Sequence, residues 1–135
     1  LISGGIKMKN RSILLTVGTL LICSMPVQAA HQYLEKEYQN KWCTENKGAQ
    51  EVVLDDDARV DCLLPKYAVE FDFATKWAES IGQSLYYAKK TGKKAGVVLI
   101  LEDPAADQKY ITRLDTVAKK HKIKVWTMKL EEMPK

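Results

Sequence analysis

Apolar and polar positions change their period several times along the chain, and each change marks an element. From His31 to about Thr44, Leu34, Tyr38 and Trp42 recur at i, i+4 and i+8, with Glu35, Lys36, Asn40 and Lys41 between them. That spacing predicts an amphipathic helix, which Asn46-Lys47-Gly48 ends. Short extended runs follow: Glu51–Leu54, then Arg59–Leu64 after the turn Asp55-Asp56-Asp57, then Tyr67–Phe73 after Leu64-Pro65-Lys66-Tyr67. These three strands predict an antiparallel meander. Thr75 is placed to cap a helix running to about Lys90, with Trp77, Ile81, Leu85 and Ala88 as its apolar stripe. Gly96–Leu101 is a continuous apolar run, the mark of a strand buried on both faces. Asp103-Pro104 is a helix start, with Asp at the N-cap and Pro at N1. The helix to His121 carries Tyr110, Ile111, Leu114, Val117 and Ala118 on one side. Ile123–Met128 predicts a last strand, parallel to Gly96–Leu101 through a right-handed crossover, before a polar tail expected to fray. The order α-β-β-β-α-β-α-β describes a single-domain α/β protein, one mixed sheet flanked by helices.

The first 29 residues do not fit this pattern. Met8 is the expected start, with LISGGIK as upstream residues. From Met8, Lys9 and Arg11 precede an apolar stretch from Ile13 to Cys23, and Val27-Gln28-Ala29 offers small residues for cleavage. This is the layout of a secretory signal. The run is short for a membrane span, although an uncleaved anchor is the alternative. Residues 1–29 are therefore expected to leave, and residues 30–135 to form the domain, periplasmic or secreted. Removal takes Lys7, Lys9 and Arg11, so 21 basic residues become 18 against 17 acids, and net charge falls from +4 to +1. Such a balance gives no global argument for nucleic-acid binding. Locally, Lys89, Lys90, Lys93 and Lys94 cluster, as do Lys119, Lys120, Lys122 and Lys124. Taken alone, each run reads as solvated helix ends and turns rather than as a binding surface.

Export leaves Cys43 and Cys62. A pair of cysteines in an oxidising compartment predicts a disulfide tying the first helix to the sheet, against the alternative of two buried thiols.

The chemistry concentrates in RVDCLLPKYAVEFDFATKWAESIGQSLYY, residues 59–87, where Asp61, Glu70 and Asp72 stand inside strands. Acids are poor strand residues. A hairpin about Pro65-Lys66 pairs residues whose numbers sum to 131, so Asp61 opposes Glu70 and Arg59 opposes Asp72. Alternation puts Glu70 and Asp72 on one face, and Val69, Phe71 and Phe73 on the other, together with Val60 and Cys62. Like charges directly opposite repel. A hard divalent cation between them is one solution. Pairing of Arg59 with Asp72 and of Lys76 with Glu70 is another, and leaves a solvated face that binds nothing. On the following helix Lys76, Gln83 and Tyr87 fall on one face, beside Glu79 and Ser80. No Gly-rich phosphate loop, zinc ligand set or Ser-His-Asp arrangement is present. His31 and His121 read as surface residues remote from the acids.

Across roughly residues 31–128 the chain resembles the PD-(D/E)XK nuclease superfamily, with its restriction-endonuclease-like fold of a helix, a three-strand meander, a helix and strand-helix-strand. Asp61 and Glu70 match the two acids of its split motif, and Gln83-Ser84-Leu85-Tyr86-Tyr87 matches the Q-x-x-x-Y helix motif of RecB-like exonucleases. Glu37, or else Glu35, stands where the family often carries a glutamate on its first helix. Asp72 occupies the position of the family's lysine, which in some members moves to the next helix, as Lys76 would have done; Val60 replaces the proline. The resemblance implies metal-dependent phosphodiester hydrolysis, with Mg²⁺ or Mn²⁺ on Asp61, Glu70 and Asp72. Lys76 would join Asp61 and Glu70 in catalysis, while Gln83, Tyr87 and Glu37 would engage the nucleic acid, DNA rather than RNA. The lysine clusters would add sequence-blind affinity. A catalytically inactive nuclease-fold domain, binding a protein or another envelope component, is the reading from a different class.

Overall fold

The computed structural model describes residues 30–135; the expected signal segment, residues 1–29, lies outside the described residues. Helix α1 (Glu35–Glu45) leads into strands β1 (Ala49–Val53), β2 (Arg59–Leu63) and β3 (Tyr67–Phe73). A single 3-10 turn, Ala74–Lys76, precedes helix α2 (Trp77–Thr91). Strand β4 (Lys94–Leu101), helix α3 (Pro104–His121), strand β5 (Lys124–Lys129) and a 3-10 turn Leu130–Glu132 complete the chain. The five strands form one mixed sheet in the order β1-β2-β3-β4-β5, antiparallel up to β3 and parallel from β3 to β5.

The two faces of the sheet follow from alternation along β3 and β4. Val69, Phe71, Phe73, Val98 and Ile100 pack under Tyr38 and Trp42 of α1. Val97, Leu99 and Leu101 pack under Leu114 and Ala118 of α3, with Trp77, Ile81, Leu85 and Ala88 of α2 at the margin. Every residue of β4 after Lys94 is buried, as its unbroken apolar run requires. Glu70 and Asp72 pair with Val97 and Leu99, so their side chains enter the α2–α3 face.

Several boundaries differ from expectation for local reasons. Residues 31–34 are not helical: the Glu37 carboxylate accepts from the Leu34 backbone N–H at 2.7 Å and starts α1 there. Leu34 is consequently 70% exposed and does not join Tyr38 and Trp42 in the core. Thr75 caps nothing, because the 3-10 turn delays α2 until Trp77. Gly92, in the left-handed region at φ 69°, ends α2 as expected of a break at Thr91–Lys94. Asp103 does cap α3, its carboxylate accepting from the Ala106 N–H at 3.1 Å, with Pro104 behind it. The tail is held rather than frayed: Met133 is buried in the α1-side core and the Tyr33 hydroxyl donates to the Pro134 carbonyl.

Cys43 and Cys62 form a disulfide linking α1 to β2. Gly48 passes directly over it; a Cβ there would run into both sulfurs and Leu64. No helix among the described residues is long and apolar enough to cross a membrane.

Candidate functional site

The hairpin register holds where it was expected, then stops. Cys62 pairs with Val69 and Leu63 with Ala68, both summing to 131, but Asp61 and Glu70 form no ladder pair. The Phe71 N–H turns instead to the Asp61 carboxylate, at 2.8 Å. On the other side, β1 and β2 pair at Gln50–Cys62 and Val52–Val60 but skip Glu51 and Asp61 between them. Glu51 sits at φ 54° there, an unusual conformation for a residue with a Cβ. The Gln39 side chain fills the gap, donating to the Asp61 carbonyl and to Glu51 Oε1, each at 2.7 Å. This interruption resets the alternation. Val60 packs with Ala68 and Tyr87, while Cys62 lies in the α1-side core, so the two do not share a face as strict alternation demands. Asp61 is thereby held at both its carbonyl and its carboxylate by bonds outside the ladder.

Asp61 and Glu70 stand close enough for one carboxyl to hydrogen-bond the other. Glu70 is only 5% exposed and Asp72 only 3%, and each keeps one oxygen, Glu70 Oε2 and Asp72 Oδ2, with no hydrogen-bond partner. Burial, followed by the charges of Asp61, Asp72 and Glu35, pushes the Glu70 carboxyl far above the usual carboxylate range. Glu70 therefore holds the proton of the pair. Burial is also the main cause raising Asp61, opposed by its bond from the Phe71 N–H. Asp72 is pushed up to about 7, first by burial and then by Glu35, with Lys76 opposing. Buried carboxylates without compensating charge respond in this way, by keeping their protons.

Lys76 is the cation at the site. It is half exposed, at the end of the 3-10 turn, with Nζ 3.8 Å from Asp72 Oδ1. Its nearest carboxylate is thus Asp72 and not Glu70, and Arg59 pairs with Glu51 at 3.1 Å rather than with Asp72. The neutralised, ion-paired outer face that was the alternative does not form.

The helix-one glutamate that reaches the acids is Glu35. It is half-buried, and burial followed by the charge of Asp61 raises it. Glu37 is exposed and spends its carboxylate on the start of α1. On α2, Tyr87 is buried and donates its hydroxyl to Gln83 Oε1 at 3.2 Å, while Gln83 is exposed. Burial and the charges of Glu70, Asp61 and Asp72 all push the Tyr87 phenol upward, so it stays a donor. The side of α2 buried deepest is Ser80, Ser84 and Tyr87. Both serines bond within their own helix, to the Trp77 and Ile81 carbonyls, and leave the acids unanswered. Periodicity drew attention to the larger apolar residues instead.

Two further expectations change. His31 is not remote: its ring stacks on Phe73 at 3.6 Å, its Nδ1 meets the Glu102 carboxylate, and its charge is felt by Glu35. The lysine clusters, conversely, do not surround the acids. Lys90 pairs with Asp55, and Lys94 stands at the opposite end of β4, five residues from the Leu99 partner of Asp72. At about 3.3 Å per residue that is roughly 17 Å.

The donors fit a hard divalent cation in kind, since two buried carboxylate oxygens lack partners beside a third carboxylate. Among the described residues, however, no three His, Cys, Asp or Glu side chains are placed as a group that could hold a metal ion. As arranged, Asp61 and Glu70 form a pair with raised affinity for a proton, flanked by Asp72 and Glu35. Comparison with protein-family models, with curated proteins and with solved structures finds no match to this chain.

Proposed function

We propose that the chain is an exported nuclease of the PD-(D/E)XK type, hydrolysing phosphodiester bonds of nucleic acid, DNA rather than RNA, in the periplasm or outside the cell. One observation carries the reading: Glu70, in the middle of β3, and Asp72, near its C-terminal end, are buried beside Asp61 with an oxygen each left unpartnered. An unsatisfied buried acid is unfavourable to the fold and needs an explanation from function. The single disulfide and the lack of a membrane-spanning helix among the described residues are compatible with export.

Asp61, Glu70 and Asp72 would hold Mg²⁺ or Mn²⁺ once Glu70 gives up its proton and the acids draw together. A bound cation of this kind supplies an activated water and neutralises charge on the attacked phosphate. Lys76, free on its solvent side, would donate to that water or to the phosphate oxygens as negative charge builds there. Tyr87 fixes the Gln83 carboxamide by donating to its oxygen, which leaves the amide N–H₂ to meet the nucleic-acid backbone. Tyr87 is thus a positioning residue.

The test is to incubate the purified protein with plasmid DNA, linear DNA and RNA, in Mg²⁺, Mn²⁺ or chelator, beside Glu70→Ala. Metal-dependent cutting of DNA that disappears in the variant is expected. Absence of cutting under every condition sinks the proposal. It would favour a nuclease-fold domain acting as an interaction protein in the cell envelope, a reading consistent with Asp72 at the position of the family's lysine and with the missing three-ligand group.

A further inference from the structure

At the end of the sheet opposite the acids, a cavity of about 470 Å³ opens between the C-terminal ends of α2 and α3 and the first residues of β4 and β5. Lys94, Lys119, Lys122 and Lys124 stand around it, over a floor that includes buried Ala118 and Ile123, with Tyr67 at one side. No carboxylate lines it. Among the described residues none of these four lysines is in an ion pair. We propose that this cavity is a second binding site, taking a small phosphorylated organic molecule: anionic groups at the lysines, an apolar body on the floor.

Three features support it. The volume lies within the range of small-molecule sites, roughly 300–1,000 Å³, and its lining combines apolar side chains with lysines, Lys124 Nζ standing 5.8 Å from the centre of the Trp126 ring. The charge is more than helix ends require. Two helix C-termini bring about −0.5 each, which one or two lysines would balance, and four come from three different elements. Lys122, finally, holds the left-handed conformation at φ 55° that closes α3, its N–H donating to the Ala118 carbonyl. Glycine closes a helix there without strain. The chain accepts the strain of a lysine at a position that lines the cavity. This proposal stands apart from the nuclease reading, because its residues touch none of the acids.

The test is calorimetric titration of the purified protein, in chelator, with ATP and separately with inorganic pyrophosphate. ATP binding that weakens as salt is raised is expected, with pyrophosphate weaker because it has no apolar body. Lys94→Gln with Lys124→Gln should weaken ATP at least about tenfold, and Lys122→Gly by up to about fivefold. Lys122→Gly should leave the melting temperature equal or higher, so lost binding there cannot be ascribed to unfolding. Glu70→Gln should bind ATP as the parent does, whatever the outcome of the nuclease assay. Failure of ATP to bind at millimolar concentration, unchanged binding in the lysine variants, or loss in Glu70→Gln would each overturn the proposal. Pyrophosphate binding as tightly as ATP would overturn the role given to the floor.

Discussion

At the scale of single residues, the burial of Glu70 beside Asp61, which raises its affinity for a proton, has most consequence. Four carboxylates, Glu35, Asp61, Glu70 and Asp72, influence one another around β3, and Lys76 is the cation beside Asp72. An amide in place of either acid spares the fold the cost of taking up a proton at neutral pH. Asp72→Asn and Glu70→Gln are therefore expected to raise the melting temperature in chelator and to abolish any stabilisation by Mn²⁺, measurable by thermal unfolding with and without the ion. A lower melting temperature in both variants would mean that the acids hold the fold rather than a ligand. Lys76→Ala should behave differently. Its loss should leave stabilisation by Mn²⁺ in place while lowering kcat by about 10²-fold or more, the usual effect of removing a donor aimed at developing charge.

At the scale of elements, the site depends on how α1 and α2 are held against the sheet. The disulfide fastens α1 next to Asp61, and Gln39, one turn after Glu35, bonds the Asp61 carbonyl. Replacing both cysteines by serine is expected to lower stability by about 2–4 kcal/mol in denaturant unfolding. Gly48→Ala should disturb the same link, because its Cβ has no room beside the sulfurs; a loss of about 1–3 kcal/mol is expected. On α2, Ser84 faces the sheet with its hydroxyl satisfied inside its own helix. Ser84→Ala should change stability by less than about 0.5 kcal/mol, whereas Ser84→Leu should overpack and cost about 1–3 kcal/mol. Equal effects of the two would show that side-chain size at this position does not set the distance between helix and sheet.

For the molecule as a whole, opposed pKa shifts shape the pH dependence of folding. Asp72 titrates near 7 when folded against 3.8 otherwise, and Glu70 is raised further. The folded state thus binds protons that the unfolded chain has released. Their contribution is complete below about pH 4; that of Asp72 is lost as pH rises through about 7, and that of Glu70 continues to be lost up to about 10. Glu51 acts in the other direction: the ammonium of Lys36, with Gln39 and Arg59, lowers it from 4.5 to about 2. That contribution is complete above about pH 4.5 and is lost as pH falls toward 2. In chelator, the melting temperature should be highest near pH 4–5 and fall toward pH 7, and Mn²⁺ should recover it at pH 7. Proton release on metal binding makes affinity rise over the same interval. A flat profile from pH 4 to 7 would show that the acids carry no raised affinity for protons. The charges are also separated: Asp61, Glu70 and Asp72 lie in the middle and toward the C-terminal end of β2 and β3, whereas Lys94 and Lys124 begin β4 and β5.

The succession of helices and strands, the buried run of β4 and the Asp103-Pro104 start of α3 are written in local pattern. Each depends on the few neighbouring residues that set a period, a cap or a turn. The elements around the acids were legible in the same way, as was the choice of Asp61, Glu70 and Asp72 as residues out of place in strands. Tertiary structure alone decided the rest. It broke the ladder at Glu51 and Asp61, moved Val60 to the other face, and brought Glu35 rather than Glu37 to the acids. It also brought His31 to Phe73 and gathered four lysines from three elements far from the strand acids. These outcomes turn on whether a backbone group finds its partner in the ladder or in a distant side chain such as Gln39, and on where elements far apart in sequence come to rest. Hydrophobic periodicity records which side of an element is buried, and carries no information about either.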